Sequence, residues 1–406
     1  MNKLPLEGIR ICDFCWVWAG PTCTRLLAYL GAEVIKIESW DRLDPERSVV
    51  PRPGQEPPSP NQNVAFNCIN LNKMGITLNL KSPRAIDLVK EIVKISDIVS
   101  NNFASGVMER LGLGYDVLRQ IRPDIIMLSM SGFGSTGPYK GYHGYASTFD
   151  ALGGLTLMSG YPDGAPIRSG AGPHTDIVNG FAGAYATLIA LNHRKQTGEG
   201  QFIDLSEWEV PCFITGEAFL DFAMNQRNAS RRGNLDNMMA PHNCYPCRGE
   251  DKWVSIAIAT EEEWQIFCKA IENPEWSRQR KFADAFSRWK NQAELDKLIG
   301  EWTKQRTHYE VMEIMQKVGV AAIPSFNYAE LVSDPHVRER QCLTEVEHPE
   351  AGKTTQPVPP WRLSATPAKI THHSPMVGEH NEHVFLELLG LPVEEFASLV
   401  GDQVIN

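Results

Sequence analysis

Gly8-Ile-Arg-Ile-Cys-Asp-Phe14, Ala19-Gly-Pro-Thr-Cys-Thr-Arg-Leu-Leu-Ala-Tyr-Leu30 and Glu33-Val-Ile-Lys-Ile-Glu38 follow one another at the start of the chain, and their order decides the fold. The first piece is a short, largely apolar run of strand length. The second carries Pro21 in its first turn and Gly31 at its end, where helices accept proline and favour glycine. The third is again a short apolar strand. Strand, helix and strand with short connections form a β-α-β unit, which argues for a parallel sheet. Between the first strand and its helix lies Cys15-Trp-Val-Trp-Ala-Gly-Pro21, at the position where open α/β sheets bind their ligands.

The alternation continues outward from that unit. Residues 41–63, rich in Pro, Arg, Asp and Gln, read as a long surface excursion of the kind that is often functional. Ser82-Pro83 opens a helix to about Ile95, Asp97 to Ser100 is a strand ending at Asn101-Asn-Phe-Ala-Ser-Gly106, and Asp124 to Met130 is another. Gln201 to Leu205 is a further strand, and Ser206-Glu-Trp-Glu209 opens a helix reaching towards Met224. Residues 225–240 are polar and arginine-rich, a linker. From 241 to 325 the pattern changes to one strand, Trp253 to Ala259, among helices near Glu261 to Ile271, Asn291 to Lys304 and His308 to Lys317. This reads as a smaller second domain. After Ile323-Pro324 come a short helix, a strand near Leu343 to Glu347, a Pro-rich connector, and a last helix from His380 to Gly390.

A second stretch, Arg168-Ser-Gly-Ala-Gly-Pro-His-Thr-Asp176, is a glycine-rich loop that runs into a helix. Ile177, Phe181, Tyr185, Leu188 and Ile189 fall on one face at helical spacing. Asp176 then lies in the first turn, where the helix end favours an ionised carboxylate. A carboxylate held there is either an ordinary helix-start residue or a nucleophile towards an acyl group.

Composition narrows the choice. With 406 residues, 42% hydrophobic and 22% charged, the chain reads as a globular enzyme of about two domains. A net charge of -10, with no basic stripe, excludes nucleic acid as an expected partner. No secretory h-region opens the chain, and no apolar run is long enough to span a bilayer. Nine cysteines without framework spacing indicate a reducing cytoplasm. Gly132-Phe-Gly-Ser-Thr-Gly137 has dinucleotide spacing, but Pro138 follows and no helix opens on its third glycine, so a nicotinamide site is rejected. Cys244-Tyr-Pro-Cys247 lacks a second pair, and His372, His373, His380 and His383 lack completing carboxylates, so no metal site is expected.

Several stretches, in order along nearly the whole chain, resemble the class III CoA-transferase family, which includes formyl-CoA:oxalate, carnitine and benzylsuccinate CoA-transferases and the alpha-methylacyl-CoA racemases. They are Ala19-Gly-Pro21, Leu30-Gly-Ala-Glu-Val-Ile-Lys-Ile-Glu38, Leu71-Asn-Lys73, Leu78-Asn-Leu-Lys-Ser-Pro83, Asn102-Phe103, and Gly106-Val-Met-Glu-Arg-Leu-Gly-Leu-Gly-Tyr115. Ser131-Gly-Phe-Gly134 with Gly137-Pro138, Asp176 with its helix, Thr197-Gly-Glu-Gly-Gln201, Ala240-Pro241, Trp253-Val254 and Val377-Gly-Glu-His380 complete the set.

The resemblance implies an open, Rossmann-like α/β large domain built from both chain ends (1–224 and, after a return linker, 326–406), plus a smaller α/β domain at 241–325. It also implies a dimer of interlocked rings, or a heteromer with a related chain. Asp176 falls at the family's catalytic aspartate, which forms a mixed anhydride and then an aspartyl-CoA thioester. Val17 and Trp18 fall on the loop lining the acyl and pantetheine site. Leu78, Lys81, Asn102, Phe103 and Arg110 fall at CoA-holding positions, and Tyr145 lies in the active site. Coenzyme A would be a substrate, with no tightly bound cofactor, and the second substrate a free carboxylic acid. The chain departs from the family at Ser39, where an arginine is frequent, which leaves Arg42 or Arg47 to replace it, and at Met74, where a basic residue is frequent. Tyr145-Ala146 stands where the racemases carry a His-Asp pair. A transferase is therefore the leading expectation, ahead of a racemase, in which His143 or His174 would have to substitute, and of a non-catalytic partner subunit, which would have no use for Asp176. Trp16, Trp18, Phe133 and Tyr145 point to an apolar or aromatic acid, benzylsuccinate foremost, with succinyl-CoA as donor.

Overall fold

A computed structural model describes residues 3–48, 58–168, 170 and 172–406. Residues 49–57 of the Pro-rich excursion, and Ser169 and Ala171 of the loop before Asp176, lie outside the described residues. The chain forms two compact units. One comprises Met1–Thr156, Arg168–Asn228 and Gln341–Asn406, the other Leu157–Ile167 and Ala229–Arg340. The smaller unit thus takes in more chain than the 241–325 expected from the sequence pattern.

In the larger unit, β1 (Arg10–Asp13), helix α1 (Ala19–Tyr29) and β2 (Glu33–Glu38) form the β-α-β unit. They are joined by β3 (Lys73–Thr77), β4 (Ile98–Asn101), β5 (Ile126–Ser131) and β6 (Phe202–Ser206) in one six-stranded sheet of order β3-β2-β1-β4-β5-β6. Every neighbouring pair is parallel. Alternate residues along each strand point to opposite faces, and both faces are buried. Ile35, Val99 and Met127 join one apolar cluster with Leu88 and Ile92 of helix Pro83–Lys94. Ile11, Val34, Ile98 and Leu128 join another with Leu26 and Leu27 of α1. The strand order reverses between β1 and β4, which opens a crevice beyond their carboxyl ends.

β3 is not marked by the sequence pattern, because Lys73 and Gly75 interrupt its apolar run. The C-terminal part of the chain flanks it. His380 N–H donates to Gly75 O at 2.9 Å and Thr77 N–H donates to Asn381 Oδ1 at 2.9 Å. Val384 and Phe385, with Leu399, Val404 and Ile405, complete the cluster on that face. The chain continues past the expected end at Gly390 into a further helix, Val393–Gly401.

The helix behind the glycine loop runs from His174 to Thr197. Its buried face is not the large apolar one that the periodicity marks. Asn179, Gly180, Gly183, Ala184 and Thr187 are buried, whereas Phe181, Tyr185 and Ile189 are exposed. Side-chain size explains this. A Cβ on Gly180 would lie 2.6 Å from Thr22 of α1, and one on Gly183 would lie 3.0 Å from Met130 Sδ. Only the small-residue face can come that close.

The smaller unit contains an antiparallel sheet of order β7-β8-β9 (His242–Pro246, Trp253–Ala257, Ala321–Ser325). Helices Glu261–Ala270, Gln292–Thr303 and His308–Lys317 supply Trp264, Phe267, Leu295, Ile299, Val311 and Met315 to its core. Capping boxes at Thr260/Glu263 and Thr307/Glu310 fix two of the helix starts. Cys247 is buried and its thiol is pushed up to about 11, the opposite of what thiolate chemistry requires. Among the described residues no helix is long and apolar enough to cross a membrane.

Candidate active site

Loops leaving the carboxyl ends of β1, β4, β5 and β6 meet the first turn of helix His174–Thr197 around a cavity of about 140 Å³. Val17 and Trp18 come from the first loop, Asn102 from the second and His143 and Tyr145 from the third. Glu207 comes from the fourth loop and Asp176 from the helix.

The first loop is built on buried charge. Asp13, at the end of β1, accepts from Cys15 N–H at 3.0 Å, Thr24 Oγ1 at 2.8 Å, Ser100 Oγ at 3.0 Å and Lys73 Nζ at 3.3 Å. Burial pushes its carboxyl up, but Lys73, Lys36 and these hydrogen bonds outweigh it and leave the carboxyl below the usual range. Lys36, fully buried on β2, donates to Cys15 O at 2.6 Å and to Asp44 Oδ2 at 3.0 Å. The other oxygen of Asp44 accepts Val17 N–H at 3.0 Å. Val17 has φ 63°, a left-handed conformation that costs a β-branched residue on the order of 1–3 kcal/mol. Asn102 holds the same loop from the other side, accepting Trp16 N–H and donating to Trp16 O, both at 2.8 Å. The indole of Trp18 donates to Glu46 Oε1 at 2.9 Å. Trp16 is turned into packing, edge-on to Phe103 at 5.6 Å, with the Arg42 guanidinium 5.1 Å over its ring.

Asp176 is the third residue of its helix. The preceding Thr175 hydroxyl donates to the buried Asp150. The Asp176 carboxyl is pushed up to about 6, first by burial and further by Asp150 and Glu46, with Arg168 opposing. This corrects the expectation that the helix end would favour the ionised form. The field of one helix terminus, worth roughly 0.3–1 kcal/mol, is smaller than the loss of water in a cavity wall. Glu207 is only 7% exposed, and its carboxyl is raised well above the usual range by burial and then by the charge of Asp176.

The structure therefore brings Val17, Trp18, Asn102, Tyr145 and Asp176 together. Phe103 packs between Phe14 and Trp16. Leu78, Lys81 and Arg110 do not line the cavity. Leu78 is buried in the core just past β3, Lys81 is exposed and pairs with Asp41 at 3.5 Å, and Arg110 is exposed on Val107–Arg110. Of the two arginines that could replace one at Ser39, Arg47 is already committed. It is buried, forks onto both oxygens of Glu38, and also donates to Asn61 Oδ1 and Pro375 O. Arg42 stays exposed. His143 lines the cavity, whereas His174 is exposed and is not in its wall. Glu207 is, with Tyr142 and Phe149, a cavity residue that sequence pattern alone does not single out. The signal that marks it is its position directly after a parallel strand.

Residues 6–381 match the model of CoA-transferase family III. The chain belongs to this family. It is 34% identical to the succinyl-CoA–D-citramalate CoA-transferase of Chloroflexus aurantiacus over 99% of this chain and 98% of that protein. It is 33% identical to the succinyl-CoA–L-malate CoA-transferase beta subunit of the same organism over 100% and 99%. A CAIB/BAIF family protein from Brucella suis superposes with a TM-score of 0.85 at 28% identity, covering 95% of this chain and all of that one. As a family III CoA-transferase the protein is an enzyme whose substrates are CoA thioesters.

Proposed function

We propose that the enzyme moves CoA from succinyl-CoA to a free dicarboxylic acid, and that Asp176 carries both covalent intermediates. The observation that supports this most is a carboxylate partly withdrawn from water in the wall of a small cavity, at the strand ends where open parallel sheets bind ligands. In the proposed cycle an oxygen of Asp176 attacks the thioester carbonyl, the C–S bond breaks, and CoA leaves as the thiolate, giving a mixed anhydride. The thiolate attacks the aspartyl carbonyl and succinate leaves with the electron pair, giving an aspartyl-CoA thioester. The acceptor carboxylate then runs both steps in reverse. No proton is gained or lost overall, and the thioester's free energy is kept from water.

For the CoA itself, Phe103 offers partly exposed apolar surface, and Lys81, Arg110 and Arg42 offer cations for its phosphates. The ion pair of Lys81 with Asp41 is exposed, hence weak enough to exchange for phosphate. The acceptor faces Trp18, Tyr142 and Phe149 as well as polar groups. Of the two loop tryptophans only Trp18 lines the cavity, since Trp16 is engaged by Phe103 and Arg42. Benzylsuccinate remains our first candidate, because it joins a phenyl ring to the dicarboxylate pattern shared by malate and citramalate, the acids in the relatives' names. Exposed Phe181 and Tyr185 of the Asp176 helix, with Phe213 and Phe219 beyond it, support an intertwined dimer or a heteromer. Nine free cysteines fit a reducing cytoplasm.

The test is incubation with succinyl-CoA followed by hydroxylamine, which should modify Asp176 alone, while Asp176→Ala should lose transfer. A panel of benzylsuccinate, malate, citramalate, glutarate and oxalate, read by mass for new thioesters, ranks the acceptors. One observation favours a second reading. Glu207 and His143 share the cavity with Asp176, and a racemase needs two acid/base groups about one α-carbon. Uptake of deuterium at Cα of a 2-methylacyl-CoA, with no acceptor acid present, would establish that reading instead.

A further inference from the structure

Glu207 has no part in the covalent cycle above, yet its position is costly without one. Its carboxyl is withdrawn from water at the end of β6, and among the described residues none donates a hydrogen bond to it. Its backbone, in contrast, is fixed on both sides. The N–H donates to Ser131 O at 2.9 Å, and the carbonyl accepts from Asn179 Nδ2 at 3.1 Å. The same Nδ2 donates to Thr175 O at 3.1 Å. Asn179 therefore ties the strand end bearing Glu207 to the helical turn bearing Asp176, and both carboxyl groups line one cavity of about 140 Å³. An apolar side chain would fill such a place more stably.

Two carboxyl groups in so small a space do not both ionise readily. Asp176 titrates first, at about 6, and its charge adds to burial in keeping Glu207 protonated. The other titratable groups in the cavity wall are His143, Tyr142 and Tyr145. Asp150, Glu46 and Arg168 act through Asp176.

Resting on the assignment of Asp176 as nucleophile, we propose that Glu207 is a second catalytic residue, a neutral carboxylic acid whose O–H donates a hydrogen bond to the acyl oxygen as that oxygen gains charge. When Asp176 attacks, one C–O bond forms and the carbonyl electron pair moves onto the acyl oxygen. Collapse returns that pair to the carbonyl, and the C–S bonding pair leaves with the CoA thiolate. The proton of Glu207 stays on Glu207 throughout, so no further reactant is required. Loss of one preorganised donor at such an oxygen costs roughly 10²–10³ in rate.

Single-turnover acylation by succinyl-CoA in the wild type, Glu207→Gln and Glu207→Leu tests the proposal. Glu207→Gln keeps a neutral donor and should acylate within about tenfold of wild type, whereas Glu207→Leu should be slower by roughly 10²–10³. The wild-type rate should fall at alkaline pH as Glu207 ionises, and that limb should vanish in Glu207→Gln, whose amide cannot ionise. Infrared difference spectra at neutral pH should show a protonated carboxylic-acid carbonyl band in the wild type and not in Glu207→Gln. The band and the alkaline limb decide the matter even if Glu207→Leu does not fold. Wild-type acylation in Glu207→Leu, or an unchanged carboxylic-acid band in Glu207→Gln, overturns the role of Glu207. Hydroxylamine labelling of Asp176 in the same samples separates the two assignments. Absence of label in the wild type removes the nucleophile itself, whereas label with undiminished rates in Glu207→Leu removes only its partner.

Discussion

Asp176 sets pH limits on the molecule in two opposite senses. If it is the nucleophile proposed above, only its ionised form attacks, so kcat/KM should rise about tenfold per pH unit below about 6 and level off above it. Its effect on stability runs the other way. Between the ordinary value of 3.8 and about 6 the folded chain binds the proton that the unfolded chain has released, so stability falls as pH rises through that window. Asp176→Asn should therefore lose transfer yet resist urea better at pH 7–8, by on the order of 3 kcal/mol at one pKa unit per 1.36 kcal/mol, and the gain should disappear near pH 3. Lys36 has the opposite dependence on its neighbour. Lys36→Met leaves Asp44 buried without its cation, and the urea midpoint should fall by an amount equivalent to roughly 3–5 kcal/mol. Of these residues the sequence makes Asp176 legible, through its glycine loop and its place in an ordered set of family motifs. Glu207 is not legible, because Ser206-Glu-Trp-Glu209 has the composition of any acidic helix start, and only the sheet places it across from Asp176.

For whole elements, legibility followed how unbroken the apolar run is. The β-α-β unit, β4 and β5 are short apolar runs because helices cover both faces of the sheet, and their positions can be read directly. β7 and β9 cannot. They are the outer strands of the three-stranded sheet, and they carry Pro246 and Pro324, residues that pattern reading takes for breaks but that outer strands accept. The Asp176 helix shows a different failure. Its 3.6-residue period is real, but the large apolar face points outward while the glycine face meets α1. Gly180→Ala should separate the two helices, since the new Cβ would lie 2.6 Å from Thr22 and 3.0 Å from the backbone oxygen of Ala19. A loss of about 1–3 kcal/mol in thermal or urea unfolding is expected, along with a fall in transfer rate because Asp176 sits one turn away. Gly183→Ala should cost less, since it meets the flexible end of Met130.

At the level of the whole molecule, the outward apolar face of that helix and the exposed Phe213, Phe219 and Leu220 are large apolar side chains that the proposed assembly would cover. Light scattering should give at least twice 45.4 kDa, and a monodisperse 45.4 kDa particle would contradict the proposed assembly. The larger unit also draws on the last stretch of the chain. Val404 O accepts Asn79 N–H at 2.9 Å, and Asn406 bonds Ser39 and Trp40 at the mouth of β2. Synthesis on the ribosome therefore meets the two units in an order opposite to their beginnings. The unit begun first cannot close until its final residues emerge, long after the smaller unit has all of its chain. For that interval the nascent sheet is open along β3, with its backbone free to pair wrongly. The translating cell, rather than the finished enzyme, is where substitutions near Asn381 or Val404 should be felt first, as lowered yield of protein that works normally once made.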